Sequence, residues 1–155
     1  MILSYGFSII GPTHVELQIV CQDSNYIKVE NNLAIAAVAD GLGSCQYSDV
    51  ASKIAAQTSV NYCANCYPAL HSDDEVFQTI KESFQKAFNE IELVAKQNSH
   101  DLDQYDTTLT LAILDNGVLY YGHSGDGGII TLSDDGLFEK ITTEQNDLYG
   151  YVFPL

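Results

Sequence analysis

The sequence predicts an α+β domain, and three observations carry that reading. Short apolar runs broken by turn residues fill the first forty positions, two helical patterns follow, and strands joined by Gly-rich turns come after them. With 155 residues, 46% of them hydrophobic, the chain can bury a core of its own and is too apolar for disorder. One domain is therefore expected over residues 1–155.

In order along the chain, residues 4–10 and 15–21 read as strands around the turn Gly11-Pro12-Thr13. A polar break at 21–25 precedes another strand, 26–29, and Glu30-Asn31-Asn32 reads as the turn into a buried strand over 33–39. A first helix is predicted over 48–66, with Val50, Ala51, Ile54, Ala55 and Tyr62 inward and Tyr67-Pro68 as its stop. Its many Ala and Ser residues suit close packing on a sheet. The second helix opens on a capping box, Ser72 with Glu75, and Asp73 and Asp74 favour its positive end. Phe77, Ile80, Phe84, Phe88, Ile91 and Ala95 recur at spacings of three and four, the pattern of a core stripe. After an acidic loop over 98–106, the period switches to that of strands. Asp115-Asn116-Gly117 is a strong hairpin signal between 107–114 and 118–122. Turns at 124–128 and 134–136 lead to strands at 129–132 and 137–141, completing a predicted four-strand meander.

Charge narrows the function. Against 21 acidic residues stand 6 basic ones, all lysine, for a net charge of −15. No basic patch exists to neutralise nucleic-acid phosphates, and an anionic membrane would repel this surface. A cation or a basic partner is the natural complement. Residues 1–10 are apolar but broken by Ser4, Gly6 and Ser8 and lack a basic leader, so a cytoplasmic protein is expected. Cys63 and Cys66 form a C-x-x-C, but no second close pair completes a zinc site, and one helix face would hold both as buried free thiols.

The chemistry concentrates at 34–52. The buried strand ends on Asp40, and Gly41 and Gly43 follow before the helix begins. Glycines let the backbone turn sharply and present bare carbonyls, which beside a carboxylate suit a hard cation such as Mg²⁺ or Mn²⁺. An ordinary Asp-Gly turn fits the same residues. Asp23 lies at the end of a neighbouring strand, and Asp126 sits among three glycines where a hairpin needs one or two. Of the histidines, His71 reads as solvated and His100 belongs to the acidic loop. His123 reads as site-facing or inert, and His14 is the foremost functional candidate.

Three stretches together resemble the PPM/PP2C-type metal-dependent serine/threonine protein phosphatases. They are Cys21-Gln22-Asp23, Val38-Ala39-Asp40-Gly41-Leu42-Gly43 with Ala51-Ser52, and Thr107-Thr108-Leu109 with Gly125-Asp126. The resemblance implies an antiparallel β-sandwich flanked by helices, of which this chain supplies the N-terminal portion. It implies two Mg²⁺ or Mn²⁺ ions bridged by Asp40, with the Gly41 carbonyl on the metal, Asp23 holding metal-bound water, and Asp126 at a third, looser site. It further implies hydrolysis of phosphoserine or phosphothreonine in proteins by a metal-activated water.

The chain also departs from that pattern. No arginine exists to clamp phosphate, leaving His14 or Gln18 as stand-ins; G-D-S-R becomes Gly125-Asp126-Gly127-Gly128, and Leu42 replaces a histidine. Asn146-Asp147 does not supply the missing late aspartates. The expectation is that residues 1–155 alone are a poor catalyst. The uncharged tail 148–155, with three aromatics, predicts a chain that continues or docks elsewhere. A catalytically inactive binding module of the same fold is the alternative.

Overall fold

The computed structural model of the protein describes residues 2–145 and 152–155. Four antiparallel strands form its centre in the order β1-β2-β3-β4: β1 (Asp23–Glu30), β2 (Leu33–Asp40), β3 (Leu109–Asp115) and β4 (Val118–Ser124). Two tight turns set the register. Asn31 (φ 53°) closes β1–β2, and Asn116 (φ 47°) with Gly117 (φ 87°) closes β3–β4 in the left-handed geometry that matches strand twist.

Alternation divides the residues between two faces. One face carries Ile35, Ala37 and Ala39 of β2 and Leu109, Leu111 and Ile113 of β3, all buried under two helices. Each large aliphatic side chain buried there contributes about 1.5–3 kcal/mol. Helix α2 (Ser48–Cys66) and helix α3 (Asp73–Asn98) follow the predicted boundaries, and the Ser72 hydroxyl accepts from Glu75 N–H at 3.3 Å. Small residues make up much of the buried surface of the two packed helices: Ala51, Ala55, Ala56 and Ser59 on α2, Ser83 and Ala87 on α3. The buried hydroxyls bond back to their own helices, Ser59 to the Ala55 carbonyl and Ser83 to that of Ile80.

That close approach corrects the predicted stripe on α3. Val76, Thr79, Ser83 and Ala87 join Ile80, Ile91 and Ala95 in the core, whereas Phe77 is 53% exposed and Phe84 and Phe88 are only half-buried. A seam of small side chains leaves no room for a phenylalanine ring. Tyr62, expected inward, instead donates its hydroxyl to Glu82 on α3 at 2.7 Å. The four cysteines are free thiols, and burial pushes the Cys63 thiol up to about 11.

The opposite face is thinly covered. Residues 2–11 cross it without strand pairing, with Ser8 accepting from Asn25 at 3.1 Å. A separate ribbon, β5 (Ile130–Leu132) with β6 (Phe138–Lys140), approaches β4 where the Tyr121 hydroxyl donates to the Ile141 carbonyl at 3.0 Å. The architecture is thus α+β: helices on one side of an antiparallel sheet, and a slight second β layer on the other.

Two expected elements differ. The hairpin of 4–10 and 15–21 is absent, because Pro12 starts a short helix instead, α1 (Pro12–Leu17), where its fixed φ and missing N–H suit the first turn. The four-strand meander is split, because the Gly-rich stretch after Ser124 carries the chain off the sheet before β5. Asn146-Asp147 and residues 148–151 of the apolar tail lie outside the described residues. Among the described residues no helix is long and apolar enough to cross a membrane.

Candidate functional site

The ladder pairs Asp23, the first residue of β1, with Asp40, the last of β2. Facing residues on paired strands project from the same side, so both carboxylates leave the thinly covered face at one end of the sheet. The Asp40 backbone is held from β3's side. Its N–H donates to Thr108 Oγ1 at 2.9 Å, and its carbonyl accepts from Thr108 N–H at 2.8 Å and Thr107 Oγ1 at 3.1 Å. Thr107 and Thr108 are both buried, so this clamp fixes where the carboxylate begins.

Gly41 follows in a crowded place. Its N–H donates to the Gln22 carbonyl at 3.1 Å, and a Cβ there would lie 2.6 Å from the Ser48 carbonyl oxygen and 2.7 Å from that of Gln22. Only a residue without a side chain lets β2 and the start of α2 approach this closely. The Gln22 side chain ties the same elements together, its amide donating to Ser48 Oγ at 2.6 Å and the Cys45 carbonyl at 3.2 Å.

Asp23 and Asp40 line a cleft of about 440 Å³ with Asn25, Val38, Thr108 and Thr110, and residues 7–9 form its outer wall. A second cleft of about 390 Å³ adjoins it and brings His14, from α1, beside the same two aspartates. Asp126 arrives on the loop after β4. Gly125 there has φ 110°, and its Cβ position lies 2.5 Å from Thr108 Cγ2, so the loop presses directly on the residue that clamps Asp40.

The electrostatics follow from that convergence. Asp40 is pushed up to about 6, first by burial of its carboxyl, then by a hydrogen bond to Asp23 and the negative charges of Asp23 and Asp126. As a residue Asp40 stays solvent-exposed, so its carboxyl remains open to a ligand from the cleft. Among the described residues the ion pairs are Glu92–Lys96 and Lys140–Glu144, and neither involves these aspartates.

Asp23, Asp40, Gly41 and His14 therefore share one region, and Asp126 stands within reach of Asp40's charge. The gathering is not a closed cage: among the described residues no three carboxylate, imidazole or thiol groups come close enough to grip one ion. The donor types, carboxylates with a bare backbone carbonyl, fit a hard divalent ion, and Mg²⁺ ordinarily takes one or two carboxylates and keeps several waters.

Sequence reasoning did not pick out Asn25, Thr110 or the clamp made by Thr108. Asn25 was accessible through alternation, two residues after Asp23 on the same face. Thr110 and its partner His123, whose Nδ1 lies 2.8 Å from Thr110 Oγ1, depend on cross-strand register, which the sequence does not display.

The architecture, helices on one side of a four-stranded antiparallel sheet with a slight second β layer on the other, is that of the protein phosphatase 2C fold. The protein phosphatase 2C family model matches residues 10–152, and the chain belongs to that family. No curated protein matches it by sequence. Among solved structures, the Mycobacterium tuberculosis serine/threonine phosphatase PstP/Ppp matches with TM-score 0.59 and 17% identity, over 90% of this chain and 52% of its own. A stage II sporulation E family protein from Thermanaerovibrio acidaminovorans matches with TM-score 0.58 and 20% identity, over 79% and 54%. RsbX, solved in complex with magnesium, matches with TM-score 0.54 and 17% identity, over 82% and 53%. The likeness is one of fold, and the chain spans about half the length of these structures.

Proposed function

We propose that this chain serves the metal-dependent hydrolysis of phosphoserine or phosphothreonine in proteins. The observation that carries the reading is the meeting of Asp23 and Asp40 at one end of the sheet, with Asp126 in electrostatic range and, among the described residues, no ion pair to any of the three. Mutual repulsion of this kind is relieved by a bound cation. In this reading Asp40 and the Gly41 carbonyl hold Mg²⁺ or Mn²⁺, Asp23 holds water on the metal, and Asp126 contributes to a looser site. Two ions, and a third at the looser site, are the expected complement. A divalent pair supplies a water of lowered pKa and neutralises phosphoryl oxygens. The protein's own part is to fix the carboxylates through the Thr107–Thr108 clamp and to present the cleft to a phosphorylated segment. His14, at the adjoining cleft, is the candidate to meet the phosphate. The site of action is proposed to be the cytoplasm.

A second reading, a binding module that kept the fold without the chemistry, is favoured by the absence of arginine and of any three-ligand cluster among the described residues. Phosphate release from a phosphoserine peptide separates the two. Release that needs Mn²⁺ and is lost in Asp40→Asn supports the enzyme. Peptide binding without release, at any Mn²⁺ concentration, supports the binding module.

A further inference from the structure

After β4 the chain passes as bare backbone, Gly127-Gly128, between the sheet and β6. A Cβ on Gly127 would lie 3.0 Å from Thr110 Oγ1, and one on Gly128 would lie 3.1 Å from Lys140 Cε and 3.8 Å from Lys140 Nζ. Gly127 is part of the wall of the carboxylate cleft, so the Lys140 side chain crosses the loop one residue from that wall. Its ammonium pairs with Glu144 at 2.8 Å, with both side chains solvent-exposed, an ion pair that exchanges readily.

The position matters because cations are scarce. The chain has six lysines and no arginine. Lys53, Lys81, Lys86 and Lys96 sit on α2 and α3, behind the sheet, and Lys28 alternates onto the helix side of β1. Lys140 alone among the lysines comes from the ribbon on the cleft's side.

We propose that Lys140 binds the anionic phosphate ester of the ligand at the cleft, exchanging its Glu144 partner for the phosphate. The proposal rests on the metal-dependent reading above, since three carboxylates repel a phosphate unless cations lie between. Gly128 is then bare for a reason: a side chain there would displace the lysine stem that must reach across it.

The test measures binding of a phosphoserine peptide and its unphosphorylated twin, with Mn²⁺ present, to the wild-type chain, Lys140→Gln, Lys140→Arg and Gly128→Ala. Thermal stabilisation by Mn²⁺ alone is recorded for each. The expected result is phosphate-dependent binding by the wild type, weakened about tenfold in Lys140→Gln, largely restored in Lys140→Arg and weakened in Gly128→Ala. The Mn²⁺ response should be the same in all four proteins. Equal binding by Lys140→Gln and wild type, or no preference for the phosphorylated peptide, overturns the role of Lys140. A wild-type chain that Mn²⁺ does not stabilise overturns the metal-dependent reading, and this proposal with it.

Discussion

Asp23 and Asp40 stand opposite each other in the β1–β2 ladder, first residue against last, and, on top of burial, Asp23 helps push the Asp40 carboxyl up through a side-chain hydrogen bond and its negative charge. Antiparallel pairing ordinarily disfavours like charges directly opposite. A fold that keeps such a pair at its surface edge, with Asp126 nearby, holds a local excess of negative charge that a cation would relieve.

Removing one of the charges should therefore help the metal-free protein. In EDTA at pH 7.5, Asp40→Asn is expected to raise stability by on the order of 1 kcal/mol, discounted for solvent screening, or about 2–4 °C in Tm. The same variant should lose its response to Mn²⁺. Differential scanning calorimetry with and without the metal checks both; a variant less stable than wild type in EDTA would count against repulsion.

The pH dependence has a definite sign. Asp40 titrates at about 6 in the fold, above the ordinary carboxylate value, so the folded state holds the proton more tightly. Its contribution is fully present at pH below about 4 and is lost as pH rises through about 6. Metal-free stability should fall across that window, and Mn²⁺ affinity should rise over the same range as the competing proton leaves. Urea titrations at pH 4.5 and 7, on wild type and Asp40→Asn, isolate the Asp40 part.

At Gly41 the argument is steric. Gly41→Ala would set a methyl group 2.6 Å from the Ser48 carbonyl oxygen and 2.7 Å from the Gln22 carbonyl oxygen, both backbone. The expected cost is about 1–3 kcal/mol, seen as a lower urea midpoint with an unchanged slope. A neutral substitution would mean that β2 and α2 are less closely packed than they stand here.

Cys63 is expected to resist thiol reagents in the native protein, being fully buried with its thiol pushed up to about 11. Half-buried Cys21 and Cys66 should react before it. Timed labelling in native buffer and in urea reads this directly, and fast native labelling of Cys63 would show the α2–α3 contact to be open.

Local chemistry made much of the fold legible. Asn-Gly at 116–117 marked its hairpin, Ser72 and Glu75 marked the start of α3, and the apolar run into Asp40 marked β2. What stayed hidden depended on distant packing. Whether Phe84 or Ser83 faces inward is decided by the width of the α2–α3 seam, which no periodicity in α3 reveals. Pro12 supported a turn and a helix start equally well, and the helix formed. At the site, Asp40 and Asp23 stood out as residues, but their pairing needed register, and Thr108's clamp on Asp40 joins positions 68 residues apart.

The most direct measurement is a calorimetric titration of the wild-type chain with Mn²⁺ at pH 7.5. The account predicts saturable binding that is abolished in Asp40→Asn and that stabilises the fold by roughly 2.7 kcal/mol at a hundredfold excess over Kd. Dilution heats alone, with an unfolding curve identical to that in EDTA, would contradict it.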